Sequence, residues 1–169
     1  DFVSAEIEAV PAGKARDYGL DRSMILGYGH DDKVCAYTSL RAITDMKGVP
    51  ERTSCCILVD KEEIGSIGNT GMQSDYFSHV CAKMLSLQGD SSLVDLNDLM
   101  ENSRMLSSDV SVAYDPNYPE VNEMKNTAFF GHGICFNKYT GSHGKYSSND
   151  ANAEYIAKVR RVMDENACM

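Results

Sequence analysis

An apolar segment that runs directly into paired carboxylates and a glycine is the feature that most constrains the fold of this chain. Residues 53–59 read Thr-Ser-Cys-Cys-Ile-Leu-Val, and residues 60–66 continue as Asp-Lys-Glu-Glu-Ile-Gly-Ser. A continuous apolar run of this length predicts a strand covered on both faces, as in a parallel sheet. The end of that strand would bring Glu62 and Glu63 to the sheet edge where open α/β sheets bind ligands. The alternative interpretation is a solvated charged turn.

The two adjacent glutamates offer two different chemical roles. Neighbouring side chains can point in different directions where a strand gives way to a loop. One carboxylate of the pair can therefore hold a metal while the other handles protons. Metal-assisted hydrolysis needs that division of labour.

Two further acidic motifs strengthen the metal hypothesis. Asp31 and Asp32 precede a helical pattern that begins near Val34, although an Asp pair there is also typical of N-capping. Asp109 opens a short β-type run that a turn at residues 115–117 closes. Carboxylates from three places along the chain suit a two-cation site in which one of them bridges both ions. Oxygen ligands suit hard or borderline cations, and zinc sites usually add histidine.

The alternation of patterns predicts a layered α/β domain with a largely parallel sheet. Helices are expected over residues 34–47, after Ser74, near residues 95–105 and after Asp150. Strands are expected at residues 2–10, 53–60, 108–114 and 133–139.

Composition excludes several classes of protein. The formal net charge of -9 argues against a nucleic-acid partner. No apolar stretch approaches the roughly 20 residues of a membrane helix, so no membrane association is expected. The six cysteines follow no CxxC spacing and are best explained as buried free thiols in a reducing compartment, which predicts a cytoplasmic protein.

The motifs together resemble the aspartyl aminopeptidase family of dinuclear zinc exopeptidases. The resemblance extends over nearly the whole chain. Its stretches are residues 10–17, 19–23, 28–38, 59–74, 108–110, 115–118, 138–142 and 148–154.

The resemblance implies a role for each candidate residue. Asp31 corresponds to the carboxylate that bridges the two metals, and Glu62 to the general base. Glu63 corresponds to a terminal ligand of one metal and Asp109 to a terminal ligand of the other. Lys138 corresponds to a lysine that meets the acidic side chain of the substrate. The complete site is expected to hold two zinc ions, with other divalent cations possible.

The resemblance also implies architecture and activity. Residues 23–169 would be an incomplete catalytic domain, three-layered α/β/α and zinc-exopeptidase-like. Residues 1–22 would be the end of a smaller, β-rich dimerisation domain. The full-length enzyme is expected to be a homo-oligomer that removes N-terminal Asp or Glu residues from peptides with zinc-activated water.

Two departures from the family pattern define what this chain lacks. The family completes its site with two histidines, and none of the four histidines here (His30, His79, His132, His143) corresponds to either. We therefore expect an internal fragment of a longer enzyme, or one piece of a processed or cleaved chain, that is inactive alone and binds metal weakly. The alternatives are another dinuclear amidohydrolase or deacylase, or a non-catalytic assembly fragment.

Overall fold

The computed structural model describes residues 2–90, 92–138 and 151–166 of the 169-residue chain. Within them lie two short strands, β1 (Arg16–Tyr18) and β2 (Met24–Leu26). There are four α-helices, α1 (His30–Thr44), α2 (Tyr76–Gln88), α3 (Leu93–Glu101) and α4 (Ala153–Glu165). Three single-turn 3-10 helices lie at Phe2–Ser4, Glu62–Ile64 and Pro119–Val121. His143, Cys168 and the last residue of the predicted strand 133–139 fall outside the described residues.

The chain divides into two compact units, residues 1–110 and residues 111–169. The first unit contains both strands, helices α1 to α3 and the turn that carries the paired glutamates. The second contains the turn at Pro119–Val121 and helix α4. The domain boundary between residues 22 and 23 stays a prediction.

A small hairpin forms the sheet of the first unit. Strands β1 and β2 pair antiparallel, with Asp17 opposite Ile25 at the centre of the register. The connecting turn relies on Gly19, whose φ of 90° is a conformation that L side chains rarely adopt. The amide of Arg22 closes this turn by donating to the Gly19 carbonyl at 3.2 Å.

The four predicted helices are present, with starts that differ from the predicted ones by one to four residues. Helix α1 begins at His30, ahead of the apolar pattern, although Asp31 and Asp32 have non-helical dihedral angles. Asp75, and not Ser74, is the N-cap of α2. Helix α3 begins at Leu93 because Ser92 forms a capping box with Asp95.

The predicted strands are not found in the described residues. There the segment 53–60 joins no strand ladder, and neither do residues 2–10, 108–114 or 133–138. Among the residues that the structure describes, parallel pairing is limited to a single bridge between Ala113 and Ala128, in the second unit. An apolar run predicts burial, but a strand also needs a hydrogen-bonded neighbour on at least one side. Helices with a small sheet fit an α/β chain, while the three-layer arrangement stays a prediction.

Most apolar side chains of the described residues are exposed. Cys81 is their only buried hydrophobic side chain. The expectation of buried thiols was wrong for Cys55 and Cys135, which are exposed. No helix among the described residues is both long and apolar enough to cross a membrane.

Candidate active site

The paired glutamates sit in a tight turn with a special backbone conformation. Lys61 precedes the turn and Gly65 follows it, and both have left-handed dihedral angles, with φ of 67° and 91°. The Gly65 amide donates to the Glu62 carbonyl at 2.9 Å, and the Ser66 amide donates to the Lys61 carbonyl at 2.7 Å. These bonds fold the backbone back on itself. Glu62 and Glu63 are the first two residues of the turn, and both are exposed.

The turn belongs to a longer loop that closes on itself. We call residues 60–74 the glutamate loop. The Asp60 amide, at the start of the loop, donates to the Thr70 carbonyl at 3.1 Å. Gln73 makes two further bonds across the loop, from its side-chain amide to the Gly65 carbonyl at 2.6 Å and from its backbone amide to the Ser66 carbonyl at 3.1 Å.

The second acidic segment lies at the start of α1. Asp31 and Asp32 interrupt the helical dihedral angles there, and a cis peptide bond joins them. Asp31 is exposed and Asp32 is half-buried. The Oδ1 atom of Asp32 is buried and has no hydrogen-bond partner.

Asp109 supplies the third acidic segment of the first unit. Its Oδ1 atom accepts a hydrogen bond from the Val110 amide at 2.7 Å, which fixes the carboxylate against its own backbone. Asp109 is exposed.

Electrostatic coupling links all three segments. Desolvation raises the pKa of Glu62 above its usual value, and repulsion from Asp109, Glu63, Asp31 and Asp32 raises it further, in that order. We call Glu62 and the four carboxylates that act on it electrostatically the acidic region.

Two residues of this region had no role in the sequence prediction. Asp32 was considered only as one of a capping pair. The second residue is Cys35, whose thiol pKa is raised most by burial and next by a hydrogen bond with Asp32. The charges of Asp32 and Asp109 also raise this pKa, whereas a hydrogen bond with Ser108 lowers it. Helical spacing could not have signalled the contact between Asp32 and Cys35, because Asp32 lies outside the regular helical dihedral angles.

The donor chemistry of the region suits divalent cations, but its ligand set is incomplete. Carboxylate oxygens are ligands for hard and borderline cations, and a cation would relieve the mutual repulsion around Glu62. The partnerless Asp32 oxygen is a further acceptor in the same region. Across residues 2–90, 92–138 and 151–166, however, no three His, Cys, Asp or Glu side chains are grouped closely enough to hold an ion. The assignments of Asp31, Glu63 and Asp109 as ligands stay predictions.

The remaining residues considered in the sequence are Lys138 and the histidines. Lys138 is exposed and lies in the second unit. His30 and His79 are exposed residues of the first unit. His132 belongs to the second unit, where its ring lies 5.7 Å from that of Phe129.

Comparison with known proteins gives consistent matches along nearly the whole chain. Residues 1–167 match the model of the family described as aminopeptidase I zinc metalloprotease, M18. A probable M18 family aminopeptidase 1 from Clostridium acetobutylicum is 59% identical over 167 residues, which are 99% of this chain and 36% of that protein. A more distant relative is an aspartyl aminopeptidase 1 from Schizosaccharomyces pombe, 27% identical over 168 residues, or 96% of this chain and 35% of that protein.

A solved structure matches the fold of this chain. The crystal structure of aminopeptidase I from Clostridium acetobutylicum superposes with a TM-score of 0.84 at 56% identity. The match covers 97% of this chain and 35% of that one. This chain thus spans little more than a third of the length of the relatives it matches.

Proposed function

The chain belongs to the aminopeptidase I zinc metalloprotease family, M18, and we propose on that premise that the protein of which it forms a part is a zinc-dependent aminopeptidase. The observation that carries the proposal is the acidic region around Glu62. Four other carboxylates raise the pKa of this one side chain. So much negative charge is costly to hold together unless cations or protons offset it.

The carboxylates would divide their work as follows. Asp31, Glu63 and Asp109 would hold the metal, with further ligands from outside the described residues. Zinc, when bound, supplies Lewis acidity, which lowers the pKa of water and polarises the scissile carbonyl.

Glu62 would act as the general base and later as the general acid. It would take a proton from the attacking water and then deliver it to the nitrogen of the departing peptide. A carboxylate is an efficient proton carrier when its pKa is shifted toward the working pH. Glu62 is assigned this role because its position matches the general base in the resemblance to the aminopeptidase family, while Glu63 beside it is free to hold the metal.

We extend the proposal to substrates with an acidic first residue. The name of the Schizosaccharomyces pombe relative, an aspartyl aminopeptidase, supports this preference. Lys138 is the residue we assign to it, because an ammonium group can pair directly with a substrate carboxylate. We further propose that the family-length protein is cytoplasmic, assembles as a homo-oligomer and acts on peptides.

A chelation assay on the family-length protein tests this function. Chromogenic amides of Glu, Asp and Leu would be assayed before and after removal of metal, and again after addition of zinc. We expect cleavage that disappears on chelation and returns with zinc, and that is faster for Glu and Asp than for Leu. A Lys138→Met variant should lose the acidic preference and keep cleavage of the Leu amide.

Two outcomes would contradict parts of the proposal. Cleavage of N-acetylated amino acids but not of free aminoacyl amides would identify a deacylase. Activity that survives complete removal of metal would exclude a zinc-dependent reaction.

A further inference from the structure

Gln73 is the residue that ties the far arm of the glutamate loop to the turn bearing Glu62 and Glu63. Its side-chain amide donates to the Gly65 carbonyl at 2.6 Å, shorter than the usual 2.9 Å of such bonds. Its backbone amide donates to the Ser66 carbonyl at 3.1 Å. Both acceptors directly follow the turn at Glu62–Ile64.

The turn needs this support because its backbone is unfavourable on both sides. Lys61 and Ser66 are non-glycine residues with φ of 67° and 60°. Such conformations cost on the order of 1 kcal/mol or more each and persist only where surrounding contacts impose them. Within the loop, the bonds from Gln73 are among those contacts.

Gly71 brings the two arms of the loop into direct contact. A Cβ atom at this position would lie 2.1 Å from the Ser66 carbonyl oxygen and 2.8 Å from that of Ile67. The residue is also buried. Only glycine allows the backbone of the far arm to approach so closely, which places Gln73 within reach of the turn.

We propose that Gln73 is a positioning residue that acts through Gly65 and Ser66 to fix the directions of the Glu62 and Glu63 side chains. The inference rests on the proposed function, since it takes Glu62 as the base and Glu63 as a ligand. Gln73 itself need touch neither substrate nor metal. Its contribution is to stop the turn from unwinding, which would move the base away from the attacking water.

The test compares two glutamine variants of the family-length protein. Gln73→Met removes the donor at similar length. Gln88→Met is the matched control, because Gln88 is an exposed residue at the end of α2. Since Gln73 is also exposed, its replacement should leave the fold intact. Gln73→Glu, which replaces the donor with an acceptor, is a second variant that must behave in the same way.

Two readouts separate positioning from a merely structural role. We expect kcat of Gln73→Met to fall about 10- to 100-fold, as small misplacements of reacting groups do, while KM changes less than about threefold. Hydrogen exchange of the backbone amides in residues 61–66 should speed up in both Gln73 variants and stay unchanged in Gln88→Met. A normal kcat, a fall in kcat equal to that of Gln88→Met, or unchanged exchange would overturn the inference.

The exchange measurement also keeps the two proposals distinguishable. If the unmodified protein cleaves no aminoacyl amide, the proposed function fails. Faster exchange in residues 61–66 of the Gln73 variants would then still show that Gln73 stabilises this turn. Unchanged exchange would overturn that role on its own.

Discussion

At the scale of single residues, Asp21 shows how a local contact sets an ionisation. A hydrogen bond from the Ser23 side chain lowers the pKa of Asp21 below its usual value of 3.8, and one from the Ser23 amide lowers it further. The amide lies 3.2 Å from the Asp21 Oδ1 atom. Both bonds favour the charged carboxylate and support the turn between β1 and β2.

The pH dependence of this turn follows from the sign of the shift. Because the pKa is lower in the folded chain than in the unfolded one, the stabilisation is present above 3.8 and is lost as the pH falls through the folded value. Ser23→Ala should raise the pKa of Asp21, measured by NMR titration of its carboxyl carbon. A titration midpoint that is at or above 3.8 in the unmodified chain would contradict this account.

Some residues of the site could be found in the sequence and others could not. The Glu62–Glu63 pair, Asp31 and Asp109 stand out because charged residues next to apolar runs are visible in one dimension. Gln73 is not visible, because its role depends on a loop closing across eight residues. The raised pKa of Glu62 is equally hidden, since it requires three distant segments to meet.

At the scale of elements, the capping box of α3 is a local feature with a measurable effect. The Ser92 side chain accepts from the Asp95 amide at 3.1 Å, and the Asp95 carboxylate accepts from the Ser92 amide at 2.8 Å. Helix α3 has only nine residues, too few for a helix to be stable without support from caps and packing.

Removal of this cap should destabilise the chain. Ser92→Ala is expected to lower the free energy of unfolding by about 1 kcal/mol, measured by urea denaturation and circular dichroism. Ser86→Ala is the matched control, because Ser86 lies within α2, where alanine is the better helix former. Equal losses in the two variants would show that the cap contributes nothing.

The contrast between helices and strands has a physical cause. A helix satisfies its own backbone, so the periodicity around α2 and α4 was sufficient to predict them. The segment 53–60 has the apolar residues of a buried strand, but its pairing depends on other segments. The hairpin of β1 and β2 was missed because each strand is only three residues long.

At the scale of the whole molecule, exposed apolar surface and an incomplete site go together. Side chains such as Leu20, Val49 and Leu87 are almost fully exposed. Among the described residues, no three His, Cys, Asp or Glu side chains are grouped closely enough to hold an ion. Both features fit a chain that spans about 36% of the length of its relatives.

The isolated 169-residue chain should therefore bind zinc weakly. Loss of a residue that only orients a metal ligand lowers metal affinity about 10- to 100-fold, so ligands supplied only by the rest of the family-length protein should tighten its zinc binding by more than about 100-fold. Calorimetric titration of zinc into both proteins measures the difference. Two tightly bound zinc ions in the isolated chain would contradict the prediction and would point to His30 or His132 as ligands.

The most direct test of the central claim is to measure zinc content and turnover together in two variants of the family-length protein, Glu62→Gln and Glu63→Gln. If Glu62 is the base and Glu63 a ligand, Glu62→Gln should keep its zinc and lose turnover about 10²- to 10⁴-fold. Glu63→Gln should lose zinc as well as turnover. Equal loss of zinc in both variants, or normal turnover in Glu62→Gln, would contradict the account.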